Sequence, residues 1–439
     1  MAVSEDVRLT IIIQLEVFIL HYFAKARSCL VRRQSIKYNL QANKAIKTQI
    51  LMKNLAIYVH IPFCLARCPY CDFNVYVEKE IPEDAYAKSV IEEVRLTAEK
   101  YQNFNQKVRS IYFGGGTPSL FSPTSLGKIC ESIKQLFPCE TDIEITLEAN
   151  PNHKLTKLYS KWLEIGINRI SFGSQSLNDK TLRLLGRNHS ARNTMTALKD
   201  ARQAGFHNIN LDLIFAAPEQ SIGELESDIA GFVELAPDHI SAYQLTIEKG
   251  TPFFTDYSLG KLKLPNDEIS AEMFELIINK LERSGYEHYE ISNFAKANLY
   301  SRHNLGYWNG DNYLGFGAGA HSFYKDPISL KACRWSNLAK PKEYINCLSN
   351  VSSLNFPRAW QEELSQESLV FEFFFLGLRK ISGVSLKNFQ ELFGEDLKKI
   401  YLKKIDPLIS KNLINQEGDR IYLSKRGIML ADSVFEYLL

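Results

Sequence analysis

An excess of charge of either sign is nearly absent from this sequence of 439 residues. Its 52 Lys and Arg against 50 Asp and Glu leave a formal net charge of +2. So even a balance gives no polyelectrolyte signal, and nothing in it asks for a nucleic-acid partner. Long apolar runs are missing too. The nearest is Thr10–Phe23, too short to span a bilayer comfortably and interrupted by Gln14 and Glu16. Glu5 and Asp6 precede it where a secretory signal would be basic, and no small-residue cleavage pattern comes after it. Cysteine is sparse: eight in a chain this long make no disulfide framework. The composition is otherwise ordinary for a soluble globular protein of two or three domains, with 45% hydrophobic and 23% charged residues.

The first 51 residues do not resemble the rest of the chain. After the apolar run comes a basic flank, Lys25, Arg27, Arg32 and Arg33. One reading is a helix lying on a membrane surface, which would bring the protein into peripheral membrane contact. The other, which we favour, is an extension without a role, because Met52 stands just before the first strand.

Three of the few cysteines are packed together. Ile57–Ile61 is a β-branched and aromatic run ending at Pro62, and Cys64, Cys68 and Cys71 come next at C-x3-C-x2-C spacing. This suits one metal centre better than disulfides, since a trio leaves one thiol unpaired. A structural zinc site wants four protein ligands, and no Cys or His lies close downstream. Three thiolates suit an iron–sulfur cluster whose remaining iron is open to a ligand that is not protein. A zinc site completed from elsewhere in the chain is the alternative that spacing alone leaves open. An oxygen-sensitive cluster would call for a reducing compartment, the cytoplasm.

From Met52 to about Phe294, strand patterns alternate with amphipathic helices. Strands are expected at Ile57–Ile61, Val108–Phe113, Ile143–Glu148, Arg169–Gly173, Asn208–Leu213 and His239–Leu245. Helices fall at Glu83–Tyr101, Leu126–Phe137, Ala191–Ala204 and Gly223–Leu235. This alternation implies an α/β fold with a parallel sheet, as a partial or full (β/α) barrel or an open sheet. In each, ligands gather at the carboxyl ends of the strands. Polar signals sit there: Gly114-Gly115-Gly116-Thr117-Pro118, Glu148-Ala149-Asn150-Pro151, Gly173-Ser174-Gln175-Ser176, and Asp212 in an apolar strand, where an acid needs a partner.

Farther on, His303-Asn304-Leu305-Gly306-Tyr307-Trp308 combines an imidazole with two large flat rings. Those parts would suit haem, with imidazole on the iron and aromatics against the macrocycle. They would equally suit a loop packed on the rim of the barrel. His321 comes after a Gly-rich run and reads as structural. After a less patterned connection (326–365), residues 366–439 read as a small helical, winged-helix-like domain with a hairpin. Its Lys398, Lys399, Lys403 and Lys404 are explained by a solvated helix face, so no nucleic acid is expected.

In order, the motifs Tyr-x-His-Ile-Pro-Phe-Cys-x3-Cys-x-Tyr-Cys, Gly-Gly-Gly-Thr-Pro, Glu-x-Asn-Pro and Ser-Phe-Gly-x-Gln-Ser resemble the coproporphyrinogen-oxidase-like branch of the radical S-adenosylmethionine (SAM) superfamily. The resemblance implies a partial (β/α) barrel of the radical SAM type over 52–325, with the small domain at 366–439. It implies a [4Fe–4S] cluster on Cys64, Cys68 and Cys71. It implies a SAM site of Tyr58, Tyr70, Gly115, Gly116, Thr117, Glu148, Gln175, Arg187 and Asp212. The whole pattern is similar to the haem chaperones of that branch, in which the motif His303, Asn304, Tyr307 and Trp308 binds haem. That implies a chaperone passing haem to recipient haemoproteins, those of the respiratory chain being the expected recipients. The alternative is the oxygen-independent coproporphyrinogen III oxidase, a decarboxylating enzyme. The oxidase carries a further cysteine where this chain has Phe73, and residues 1–51 do not resemble its substrate-contacting segment, so oxidase activity is not expected. One departure from the branch is Ala216-Ala217-Pro218-Glu219-Gln220-Ser221, where relatives show Gly-Leu-Pro-Gly-Gln-Thr. Loss of those glycines is expected to tighten or redirect the loop, and it is given no ligand role.

Overall fold

The computed structural model describes residues 54–101, 106–151, 155–326, 331–349 and 356–438. The N-terminal stretch read as a membrane-surface helix or a bare extension lies outside them. Six parallel strands neighbour one another in chain order: β1 Asn54–Ile61, β2 Lys107–Gly115, β3 Cys139–Ala149, β4 Arg169–Gln175, β5 Ile209–Phe215 and β6 His239–Gln244. Period-two alternation decides their faces. In β1, Leu55, Ile57, Val59 and Ile61 join the core shared with the helices. Ala56 packs in a second apolar cluster, while Tyr58 and His60 line a cavity. The covering helices include Glu83–Lys100, Pro123–Leu136, Ala191–Ala204 and Ile222–Leu235. Their starts reflect local chemistry: Ser190 and Ser221 each close a capping box.

The chain then leaves the parallel pattern. β7 Glu287–Glu290 and β8 Asn293–Ala295 pair antiparallel, and β8 docks antiparallel on β6. A short helix, Arg302–Asn309, carries the chain back to the opposite side of β1. There β9 Asn312–Phe316 pairs with β1 in parallel. β10 His321–Lys325, β11 Ala332–Asn337 and β12 Arg358–Glu363 extend that side antiparallel. The order is β12-β11-β10-β9-β1-β2-β3-β4-β5-β6-β8-β7. Tyr243 of β6 and Trp360 of β12 line one cavity with Tyr58 of β1, so the sheet curls around it. The stretch 326–365, read as a connection, therefore carries two strands of the sheet. Their alternation is obscured because charged side chains point inward. Arg334 is 3% exposed and paired with Glu372, at 2.9 Å, on the helix Gln366–Gly377.

The C-terminal region begins with that helix, whose Val370, Phe371, Phe374 and Phe375 are buried. Helices Leu386–Phe393 and Glu395–Ser410 come next, then the hairpin Ile414–Glu417 and Arg420–Leu423. Val384–Ser385 adds a third strand, and Ala431–Leu438 closes the domain. This is a winged-helix-like arrangement. No helix of the described residues is long and apolar enough to cross a membrane.

Candidate functional site: a thiol cradle opening into the barrel

The three cysteines leave β1 on an irregular loop held by local bonds. Cys71 N–H donates to the Cys68 carbonyl at 3.1 Å, and Arg67 Nη2 to the Cys71 carbonyl at 3.2 Å. All three are half-buried free thiols. Two sulfurs accept hydrogen bonds, Cys64 Sγ from Thr117 Oγ1 and Cys68 Sγ from Arg187 Nη1, each at 3.5 Å. Burial pushes the Cys71 thiol up to about 12 and raises Cys64 as well. Thiolates here need positive charge from the group they bind. Among the described residues no three His, Cys, Asp or Glu converge on a single-ion site. The donor set is three thiols with donors aimed at sulfur, which fits a multi-iron cluster better than one tetrahedral ion.

Around the thiols lies a cleft lined by Tyr70, Gly115, Gly116, Thr117, Glu148, Gln175, Arg187 and Asp212. The structure thus brings together every residue expected for SAM except Tyr58. Glycine is required at Gly115, where φ is 116° and an added Cβ would lie 2.6 Å from the His60 ring. Its bare N–H donates to Glu148 at 3.2 Å, and Tyr112 OH donates to the same carboxylate at 2.8 Å. Burial raises Glu148 to about 7 and Asp212 to about 6. Asp212 has the partner its place in an apolar strand demands: Asn210 Nδ2 donates at 2.7 Å. Gln175 holds φ at 63°, a left-handed backbone that costs an ordinary residue about 1–3 kcal/mol.

Asn150 links the set. It accepts from Arg187 Nη2 and donates to Thr117 Oγ1 at 3.2 Å, so Arg187, Asn150, Thr117 and Cys64 form one chain of bonds. The Glu-x-Asn-Pro motif contains this residue, but nothing in its type singles it out.

Below the cleft, sharing Gly115, Glu148 and Asp212 with it, opens the barrel cavity of about 790 Å³. Tyr58 faces this cavity and not the thiols, bonded to His60 Nδ1 at 3.1 Å. His303, Asn304 and Tyr307 reach it from the helix Arg302–Asn309. That helix is fixed at its start. Ser301 Oγ caps Asn304 N–H, and the Glu144 carboxylate accepts from the N–H groups of Arg302 and His303 at 3.1 and 3.2 Å. Negative charge at this end of a helix is favourable. Glu144 was not expected, although its position two residues before Thr146 and four before Glu148 places it on the inner face of β3.

His303 is 2% exposed. Its ring stacks on Tyr112 at 4.9 Å, Nδ1 meets Ser110 Oγ at 2.9 Å and Nε2 meets Tyr307 OH at 3.1 Å. Burial, with Arg169 nearby, lowers its pKa to about 3, so the ring is neutral. Trp308 lies elsewhere. It lines a second cavity, about 380 Å³, between the sheet and the C-terminal region, with the Arg379 guanidinium 4.5 Å from its ring. Tyr307 touches both cavities. His321 also lines the barrel cavity, its ring 5.9 Å from Trp360.

A parallel sheet that carries three thiols after its first strand and a Gly-rich cleft beside them defines a radical SAM protein. The Radical SAM superfamily model matches residues 58–230, and the HemN C-terminal domain model matches residues 364–430. The chain is 37% identical over 379 residues to the heme chaperone HemW of Bacillus subtilis, covering 86% of this chain and 97% of that one. With that of Lactococcus lactis it shares 36% over 391 residues, 89% and 98% of the two chains. The mitochondrial radical S-adenosyl methionine domain-containing protein 1 of Danio rerio is 33% identical over 397 residues, 88% and 86%. The chain belongs to the HemW heme chaperone family. Its fold is that of HemN, the coproporphyrinogen III oxidase of Escherichia coli, with a TM-score of 0.74 at 21% identity over 94% of this chain and 98% of that one.

The loop that departs from the branch holds two of its non-glycine residues in backbone that favours glycine. Ala216 and Glu219 hold φ at 54° and 57°.

Proposed function

We propose that this protein is a haem chaperone that carries a [4Fe–4S] cluster on Cys64, Cys68 and Cys71 and SAM in the cleft beside it. In this reading haem occupies the barrel cavity with His303, Asn304 and Tyr307 toward it, and is passed to recipient haemoproteins of the respiratory chain. When bound, the cluster and SAM supply one-electron chemistry next to the cavity. The chain's own residues position them: Gly115 and Gly116 let SAM approach the backbone, Glu148 and Asp212 hold its cationic and hydroxyl groups, and Arg187 and Thr117 steady the thiolates. The observation that carries the reading is the position of a neutral, buried imidazole at the cavity into which the thiol cleft opens. Trp308 faces the other cavity. Its proposed part is to seat the helix against the C-terminal region. Domain limits at 51, 325 and 365 and a cytoplasmic site of action belong to the same proposal.

The test is direct. Anaerobically reconstituted protein loaded with haem is mixed with an apo-haemoprotein, and separately with coproporphyrinogen III, SAM and a reductant. Haem transfer without protoporphyrinogen formation is expected. Turnover of coproporphyrinogen without specific haem uptake would establish the oxidase instead.

A further inference from the structure

One charged residue at the barrel cavity has no direct hydrogen bond or ion pair among the described residues. Arg169 opens β4 and lines the cavity, yet is only 2% exposed. Among the described residues its guanidinium makes no hydrogen bond or ion pair, and Nε is buried without a partner. Buried arginines are nearly always paired, because an unanswered charge in a low-dielectric interior is costly. The carboxylates within reach of its field, Glu148 and Asp212, attract it through space but make no bond to it. Glu148 is engaged by Tyr112 and Gly115, and Asp212 by Asn210. Thr146, the register partner of Arg169 on β3, has a fully buried Oγ1 that also lacks a partner. Two donors thus stand at one level of the barrel, in the same register row as Tyr112, against which His303 stacks.

We propose that Arg169 is the anion anchor of the barrel cavity and receives a propionate carboxylate of the tetrapyrrole. This rests on the haem reading above and extends it to a polar contact that the His-Asn-x-x-Tyr-Trp motif does not contain. Arginine suits the task because its planar fork presents parallel N–H donors to a carboxylate. SAM carries a carboxylate too, and is the other source of the same chemistry. The placement favours the tetrapyrrole: Arg169 lines the barrel cavity but not the thiol cleft, where Arg187 already supplies a cation.

The test compares protoporphyrin IX with its dimethyl ester, by fluorescence titration of the full, anaerobically reconstituted protein. The ester keeps the ring and removes both carboxylates, and the iron-free ring takes His303 ligation out of the comparison. Wild type is expected to bind the acid roughly ten- to a hundredfold more tightly than the ester, the range for a hydrogen bond between charged groups. Arg169→Gln is expected to bring the acid to the level of the ester, leave the ester unchanged, and leave SAM binding by equilibrium dialysis intact. Arg169→Lys is expected to restore part of the preference. The melting temperature of Arg169→Gln without ligand is expected not to fall, since no hydrogen bond or ion pair among the described residues is lost and a buried charge is removed. Equal binding of acid and ester by wild type would overturn the proposal and leave the haem reading standing, and this arm needs no variant to fold. Loss of SAM binding in Arg169→Gln would assign the residue to SAM and overturn it. A parallel loss of acid, ester and thermal stability would make Arg169 structural and overturn it as well. Wild type that binds haem and neither porphyrin would show that iron alone holds the ligand, again overturning it. Failure to bind haem or porphyrin at all would remove the haem reading, and the proposal with it.

Discussion

Replacing Tyr307 by Phe should tighten haem binding, although Tyr307 belongs to the motif expected to bind haem. Tyr307 OH lies 3.1 Å from His303 Nε2, and Ser110 Oγ 2.9 Å from Nδ1. An iron bound through Nε2 needs the lone pair Tyr307 holds, and leaves the proton on Nδ1, donated to Ser110. Displacing the phenol gives up one hydrogen bond, a net of about 0.5–1.5 kcal/mol. Tyr307→Phe removes that competitor, so haem affinity should rise roughly two- to tenfold. Ser110→Ala acts in the other direction. It removes the group that orients the imidazole, and such outer-shell losses cost about ten- to a hundredfold in affinity. Haem titration of both variants, followed by absorbance after anaerobic reconstitution, gives the two signs together. Weaker binding in Tyr307→Phe, or no change in Ser110→Ala, would refute ligation through Nε2 of this ring.

Three further expectations concern other parts of the molecule. Glu219→Gly should stabilise the fold by about 0.5 kcal/mol. It relieves about 1–2 kcal/mol of left-handed backbone against about 0.5–1 kcal/mol of added chain entropy and a weak surface pair with Lys180. A lower denaturation midpoint would count against the strain. Arg334→Leu leaves Glu372 buried without its cation and should cost about 3–5 kcal/mol, whereas Arg334→Met with Glu372→Met should cost far less. Equal losses in urea denaturation would show that packing, and not the uncompensated charge, dominates. SAM affinity should fall as pH drops through 7 toward 6. The pKa values of Glu148 and Asp212 are raised by burial, so each loses there the negative charge that would hold a cationic ligand. The dependence should weaken in Glu148→Gln, and a flat profile in the wild type would release both acids from that role.

Much of this was legible in the sequence, for physical reasons that differ by element. The six parallel strands announced themselves because both faces are buried or line the cavity, so they read as apolar runs closed by turn residues. The thiol cleft was legible because its ligands cluster at strand ends. Less visible were residues whose role depends on which face of a strand they occupy. Arg169, Ser110 and Glu144 occupy alternate positions in buried strands, a polar period-two signal that is easily taken for strand noise. The side of Trp308 was hidden by a helix only eight residues long. His303 and Tyr307, four residues apart, share a face, and Trp308 stands about 100° farther around, toward the second cavity. The strand Ala332–Asn337 escaped because a buried ion pair looks, in one dimension, like a solvent-exposed stretch, and Arg358–Glu363 because it is polar and only half-buried. The loop at Ala216–Ser221 hides its backbone in another way: Ala216 and Glu219 hold left-handed φ that their residue types do not announce.

The central claim is that His303 holds haem in the barrel cavity. Anaerobic reconstitution followed by a haem titration of wild type beside His303→Ala tests it most directly. Stoichiometric haem uptake in the wild type, with a ligand-field absorbance band that His303→Ala abolishes and an affinity it lowers at least tenfold, is the expected result. Haem bound with the same spectrum and affinity by both proteins would place the iron elsewhere and contradict the assignment.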